Sequence, residues 1–191
     1  NISFIFSSIS SIALLIAPII TMRLFSEDRK QKVDQALFTA PVKLISIICG
    51  KFFAAFTLFM IPMSITLVYQ IILSFTAEVN WLMYLSDILG IVLLGAAIIS
   101  IGLFISALTE SQIIAGVFGM AVSFFIMQID YFASAVNIQW FSDFCTSVSF
   151  ITRYNAFTSG QIDFSNGVFF ISVAVLFLYL THIVLDKKRW A

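Results

Sequence analysis

Long uncharged apolar runs alternate along the chain with short charged or mixed segments. The run that opens NISFIFSSISSIALLIAPIITM predicts a membrane span over about 2–22, with Pro18 near its end. A charged stretch follows at 23–43, and a second apolar run predicts a span over 52–75, just after Lys51. Pro62 in its middle removes one backbone hydrogen bond, so a kink is expected there. TAEVNWLMYLSD reads as a polar break, with Trp81 and Tyr84 of the types that favour a membrane interface. Further spans are predicted over 87–108, 112–129 and 166–185. Residues 130–165 are aromatic and semi-polar, too interrupted to span cleanly. The runs are too long for transmembrane strands and lack their alternation. The expectation is one all-α transmembrane domain over 1–191, with five spans.

Composition agrees with that pattern. Apolar residues make up 61% of the 191, charged residues 10%, and the mean hydropathy is +1.06. An ordinary soluble domain carries roughly 25% charge. A soluble enzyme, a disordered chain and a nucleic-acid binder are thereby excluded. Ten Lys+Arg balance ten Asp+Glu, so net charge is silent, but position is not. Arg23, Arg29, Lys30, Lys32, Lys43 and Lys51 fall in one loop, and Lys187, Lys188 and Arg189 in the tail on the same side. Arg153 alone falls opposite, with Glu78, Asp87, Asp130, Asp143 and Asp163. The positive-inside rule makes the basic side cytoplasmic, in a plasma or inner membrane.

The predicted spans hold almost no ionisable group, which disfavours a proton- or sodium-driven pump. His182 is the exception, and it lies within a turn of the basic tail, where it reaches the interface. No HExxH, GxSxG or phosphate-binding loop occurs, so no catalytic residue, metal ligand or resident cofactor is assigned. Work done by this protein would draw on another chain. Cys49 and Cys145 fall on opposite sides in this topology, so no disulfide is expected between them. Small residues recur every four positions, Gly102 and Ser106 on one span, then Ala115, Gly119 and Ser123 on the next. Such stripes serve either packing within the subunit or a dimer interface.

The segment 26–38 stands out. Ser26 is placed to cap a helix, Glu27 and Asp28 occupy its first turn, and Arg29, Lys30 and Lys32 follow. Val33, Ala36 and Leu37 give a narrow apolar face, and Pro41 ends the helix. It reads as a short charged helix on the cytoplasmic surface, either simply interfacial or a docking lever for a partner. Glu27, Asp28, Arg29, Lys30, Lys32 and Asp34 would set partner choice; Phe25, Leu37 and Phe38 would anchor it or face lipid.

Four stretches together resemble one family. TMRLFSEDRKQKVDQALFTAPVKLISIICGKFFAAF, LLGAAIISIGLFISALTESQIIAG, SFITRYNAFTSGQIDFSNGVFFISV and LFLYLTHIVLDKKRW are similar, in order and spacing, to permeases of the ABC-2 exporter superfamily. The gliding-motility and copper-chaperone-type subgroup is the nearest likeness. The resemblance implies a type V exporter fold of six spans, five of them within this chain. It implies a coupling helix at about 26–38, a re-entrant extracellular segment at about 130–165, and a permease dimer, homo- or heteromeric. An ABC ATP-binding subunit would bind ATP and magnesium. Family members often carry Gly-Thr where this chain has Lys32-Val33, which bears on the partner contacts. A membrane scaffold or immunity protein that binds a partner without transport is the alternative.

Overall fold

The computed structural model describes residues 12, 15–31, 43–75, 81–135, 139–161 and 163–189. Helix α1 is Ser26–Lys30, α2 Leu44–Ser74, α3 Trp81–Leu108, α4 Gln112–Ala135, α5 Gln139–Val148, α6 Phe150–Thr158 and α7 Phe164–Arg189. Residues 15–21 are also helical and lead into a turn at 22–25. No strand occurs among the described residues. Four helical segments are long and apolar enough to cross a membrane: Leu44–Ile65, Trp81–Leu108, Gln112–Tyr131 and Phe164–Arg189. Most of the span predicted over 2–22 lies outside the described residues.

The helices outrun the apolar runs that predict them. Helix α2 starts at Leu44, before Lys51, and continues through Pro62. Helix α3 begins at Trp81, so WLMYLSD is helical and not a break. Trp81 and Tyr84 stack edge to face on that first turn, and Tyr84, Ser86 and Asp87 are buried against the bundle.

Helix α3 is the centre. It packs against α2, α4, α6 and α7, and buried side chains occur all round it, among them Gly90, Leu94, Ala97, Ile99 and Leu103. Its small residues let neighbours approach closely, the usual basis of helix association in lipid. The surrounding helices do the reverse. Phe53, Ile65, Phe124 and Val175 point outward, as a chain solvated by acyl chains requires. Hydroxyls within the apolar helices turn back to their own backbone: Thr181 Oγ1 donates to Phe177 O at 2.7 Å and Ser100 Oγ to Ala97 O at 2.6 Å.

The short helices are defined by their ends. Ser149 separates α5 from α6 and accepts from Thr152 N at 3.1 Å, a side-chain N-cap. Helix α6 ends in a Schellman arrangement, with Gly160 N donating to Phe157 O and Gln161 N to Ala156 O. Gly160 has φ 76°, the left-handed region that this motif needs. Asp163 then caps α7 by accepting from Ser165 N at 3.1 Å.

Two glycines separate close packing from open helix surface. A Cβ on Gly102 would overlap Thr21 Oγ1, whereas one on Gly50 would meet nothing within 4 Å. Gly102→Ala is expected to cost about 1–3 kcal/mol through overpacking. Gly50→Ala is expected to be neutral or to stabilise by up to about 1 kcal/mol. Thermal unfolding of both variants in detergent checks this; equal midpoints would contradict the placement of Thr21 on Gly102.

Candidate functional site

One end of the bundle gathers the basic residues. Helices α3 and α7 run parallel, since Leu93 lies beside Gly167 and Lys188 reaches Ala107 and Leu108. Helix α2 runs against α3, with Phe59 on Gly95. Arg23, Lys43, Lys51, Lys187, Lys188 and Arg189 therefore share an end, and Arg153 lies at the other. The turn at 22–25 and α1 sit at the basic end.

Backbone chemistry explains why this turn is fixed. The chain leaves the helical stretch 15–21 at Thr21, and new amide donors must be satisfied before α1 begins. Ser106 of α3 satisfies two of them. Its Oγ accepts from Phe25 N at 3.1 Å and from Ser26 N at 3.2 Å, and donates to Met22 O at 3.3 Å. A serine hydroxyl offers one donor and two acceptors, so Ser106 is fully used. Ser26, expected as the cap of α1, instead donates its own hydroxyl back to Met22 O. The cap comes from a helix some 80 positions further along the chain.

Lys51 adds a second tether. Its ammonium donates to Leu24 O, pairs with Asp28 Oδ2 at 2.5 Å and lies 4.9 Å from the centre of the Phe25 ring. Two hydrogen-bonding contacts and one cation–π contact thereby engage the ammonium. A third tether closes the end: Lys188 Nζ donates to Ala107 O at 3.1 Å and Leu108 O at 3.4 Å, where the C-terminal carbonyls of α3 attract a cation. The result is a bracket that joins the turn to α2 and α3, and α3 to α7.

The predicted site residues divide accordingly. Phe25 is 5% exposed and lies under the Lys51 ammonium, its ring inside the bracket. Asp28 is turned toward Lys51. Glu27 accepts from Gln31 Nε2 at 3.3 Å on the outer side of α1. Lys32, Asp34, Leu37 and Phe38 lie outside the described residues, as do the side chains of Arg29 and Lys30. The small-residue stripes meet the leading helical stretch of this same chain: Thr21 lies on Gly102, Met22 on Gly116 and Pro18 on Gly119. Ala115 and Ser123 are buried as well.

Two residues were not anticipated as site residues. Lys51 counted only as a charge, because its partners lie 23 to 27 positions away. Asp87 counted only as a charge on the side opposite the basic residues; it lies at that end of α3 and is fully buried there, with neither carboxylate oxygen hydrogen-bonded among the described residues. It stands near Tyr154 of α6, whose phenol is held above its ordinary range by burial and then by the Asp87 charge. Beside it, Ser86 Oγ donates to Phe157 O at 2.8 Å. No cluster of His, Cys, Asp and Glu that could hold a metal occurs among the described residues. His182 lines a cavity of about 280 Å³ together with Cys49 and Tyr179.

The sequence profile described as "ABC-2 family transporter protein" matches residues 1–185. No curated protein and no solved structure matches the chain.

Removing the Ser106 hydroxyl leaves two amides in a buried turn without an acceptor. Ser106→Ala is expected to destabilise by about 1–3 kcal/mol and to speed hydrogen exchange at Phe25 and Ser26. Lys51→Met is expected to speed exchange through 24–28 while leaving α3 protected. Exchange mass spectrometry reads both, and protection unchanged in Ser106→Ala would remove the bracket.

Proposed function

We propose that this chain, which belongs to the ABC-2 transporter family, is the permease of an ATP-driven exporter that works as a dimer. As a member of that family it is the membrane component of an ABC transporter, in a multi-pass membrane setting. The finer reading is that each permease docks a separate ATP-binding subunit through the surface segment that begins at Ser26. ATP and magnesium belong to that partner. The four motif stretches favour the gliding-motility and copper-chaperone-type subgroup. The gathering of basic residues at one end supports a cytoplasmic placement of that end, by the positive-inside rule.

The observation that carries this reading is the bracket. A docking segment is useful only if a push on it reaches the spans. Here the turn is bonded to α3 through Ser106 and to α2 through Lys51, with Phe25 packed inside. A mobile interfacial helix would have no need of buried amides capped from another span. Closure of the ATP-binding subunits would move the bracket as a unit and tilt α2 and α3 together. The permease then acts as a two-state element that ATP biases, with no chemistry of its own.

The outward face of α1 and its internal tether can be separated by mutation. Glu27→Ala with Arg29→Ala leaves the Asp28–Lys51 pair intact. It is expected to lower co-purification of the ATP-binding subunit by about tenfold, or about 1.4 kcal/mol. Lys51→Met is expected to retain that subunit but lose transport-coupled ATP hydrolysis. Unchanged co-purification in the double variant, with unchanged coupling, sinks the docking role.

A further inference from the structure

Polar contacts hold the end of the bundle opposite the bracket, and one group there has none. Asp87, in the second turn of α3, is fully buried, and neither carboxyl oxygen has a hydrogen-bond partner among the described residues. In either protonation state a carboxyl presents hydrogen-bonding atoms. Burying them unmet costs free energy that the same atoms recover in water. Arg153, the cation of that end, is committed elsewhere. Its Nε and Nη2 donate to Ser147 O at 2.9 and 2.7 Å, its Nη1 donates to Asn166 Oδ1 at 3.0 Å, and it stacks on Phe169. Among the described residues the one ion pair joins Lys51 to Asp28, at the basic end.

What covers this part of α3 is the C-terminal half of α6. Ser86 donates to Phe157 O at 2.8 Å, and a Cβ on Gly90 would lie 2.8 Å from Phe157 Cβ and 3.2 Å from Tyr154 Cε2. The two halves of α6 are held differently. At its start, Asp130 Oδ2 of α4 accepts from Ser149 Oγ at 2.7 Å and Thr152 Oγ1 at 3.2 Å, and Arg153 reaches α5 and α7. These are bonds to charged groups, the stronger kind. At its end, Ser86 supplies a neutral bond. Ser159, Gly160 and Gln161 beyond it are exposed, and a Cβ on Gly160 would come only within 3.9 Å of Met83 Cγ, so that corner is loosely packed. Asp87 is six residues in from the start of α3 at Trp81, about 9 Å along the axis. Water needs to travel only that far once the end of α6 lifts.

We propose that Asp87 is an opening device: its unmet carboxyl destabilises the arrangement in which α6 lies on α3, so that the C-terminal half of α6 lifts, pivoting at Ser149, and lets water reach Asp87. The Ser86 bond and the burial of Tyr154 and Phe157 oppose it and keep the closed arrangement favoured. A transporter must open and reseal its far end in every cycle, and a buried carboxyl without a partner lowers the cost of opening while leaving the closed state intact. The use of the device rests on the transporter reading; its existence does not.

Hydrogen exchange of the full chain in lipid nanodiscs tests this, read at the α6 amides of residues 156–158. Asp87→Ala is expected to slow their exchange about tenfold, or about 1.4 kcal/mol. Asp87→Asn keeps the size and the unmet polar atoms but removes the charge, and is expected to fall between Asp87→Ala and the unsubstituted chain. Alanine also strengthens α3 itself through helix propensity, which is why the readout is on α6. A carboxyl that served to hold α6 in place would give the reverse order. Exchange at 156–158 that is unchanged or faster in Asp87→Ala overturns the proposal, as does exchange in Asp87→Asn as slow as in Asp87→Ala. A chain that no longer folds with Asp87→Ala overturns it equally, since removing the carboxyl is expected to stabilise. No ATP-binding subunit takes part in this measurement, so its failure is separate from a failure of the docking role.

Discussion

Two amide groups, those of Phe25 and Ser26, decide how this bundle is tied together. They fall where the chain has left one helix and not yet entered the next, and both are buried. An unmet buried amide costs on the order of 1–3 kcal/mol, so the turn can sit here only if something accepts from it. The acceptor is the Ser106 hydroxyl on the central helix. Its reach depends on how closely the leading helical stretch approaches α3, and that approach depends on Gly102, where Thr21 occupies the space of a missing side chain. The small-residue stripe and the hydrogen-bonded turn are therefore one device. Glycine brings the backbones together, and serine, one turn further on, uses the short distance.

Lipid as solvent explains the rest of the architecture. No water reaches the spans to satisfy a stray polar group, so helices are long, hydroxyls fold back on their own carbonyls, and charge collects at the two ends. The centre of the bundle is built from small residues because lipid provides no hydrophobic gain from pairing helices, only closeness. Asp87 is the departure from this economy. Its burial on α3 near Tyr154 places an ionisable group where the apolar runs predict none.

The legible part of this fold is the part the bilayer dictates. Of the five apolar runs of span length, four coincide among the described residues with helices long and apolar enough to cross a membrane, and the first lies largely outside those residues. Helix ends are misjudged because polar residues near an interface read as breaks: Trp81, Tyr84 and Asp87 look like a loop but form the first turns of α3. The candidate site was less legible. Ser26 carries a capping signature that belongs to its local sequence, yet Ser106, far along the chain, takes the position that Ser26 would have filled. Lys51 could be counted as charge but not placed on Leu24 and Asp28, since nothing local couples residues 27 and 23 positions apart. Tertiary hydrogen bonds of this kind leave no periodicity to read.

The two ends of α3 are linked by more than continuity. At the basic end Ser106 holds the turn at 22–25, and at the other Ser86 donates to Phe157 O of α6, with Gly90 close under Tyr154 and Phe157. Those serines are twenty residue steps apart on one unbroken helix. At 1.5 Å per residue that is about 30 Å, the thickness of the hydrocarbon core. A straight helix carries displacement along its axis with little loss, because its own hydrogen bonds are parallel to the motion. A shift imposed at Ser106 therefore arrives at Ser86 and α6 without a relay of side chains in between. On that geometry the short helices at the far end would respond directly to whatever moves the turn at Ser26, and the coupling would fail wherever either serine contact is lost.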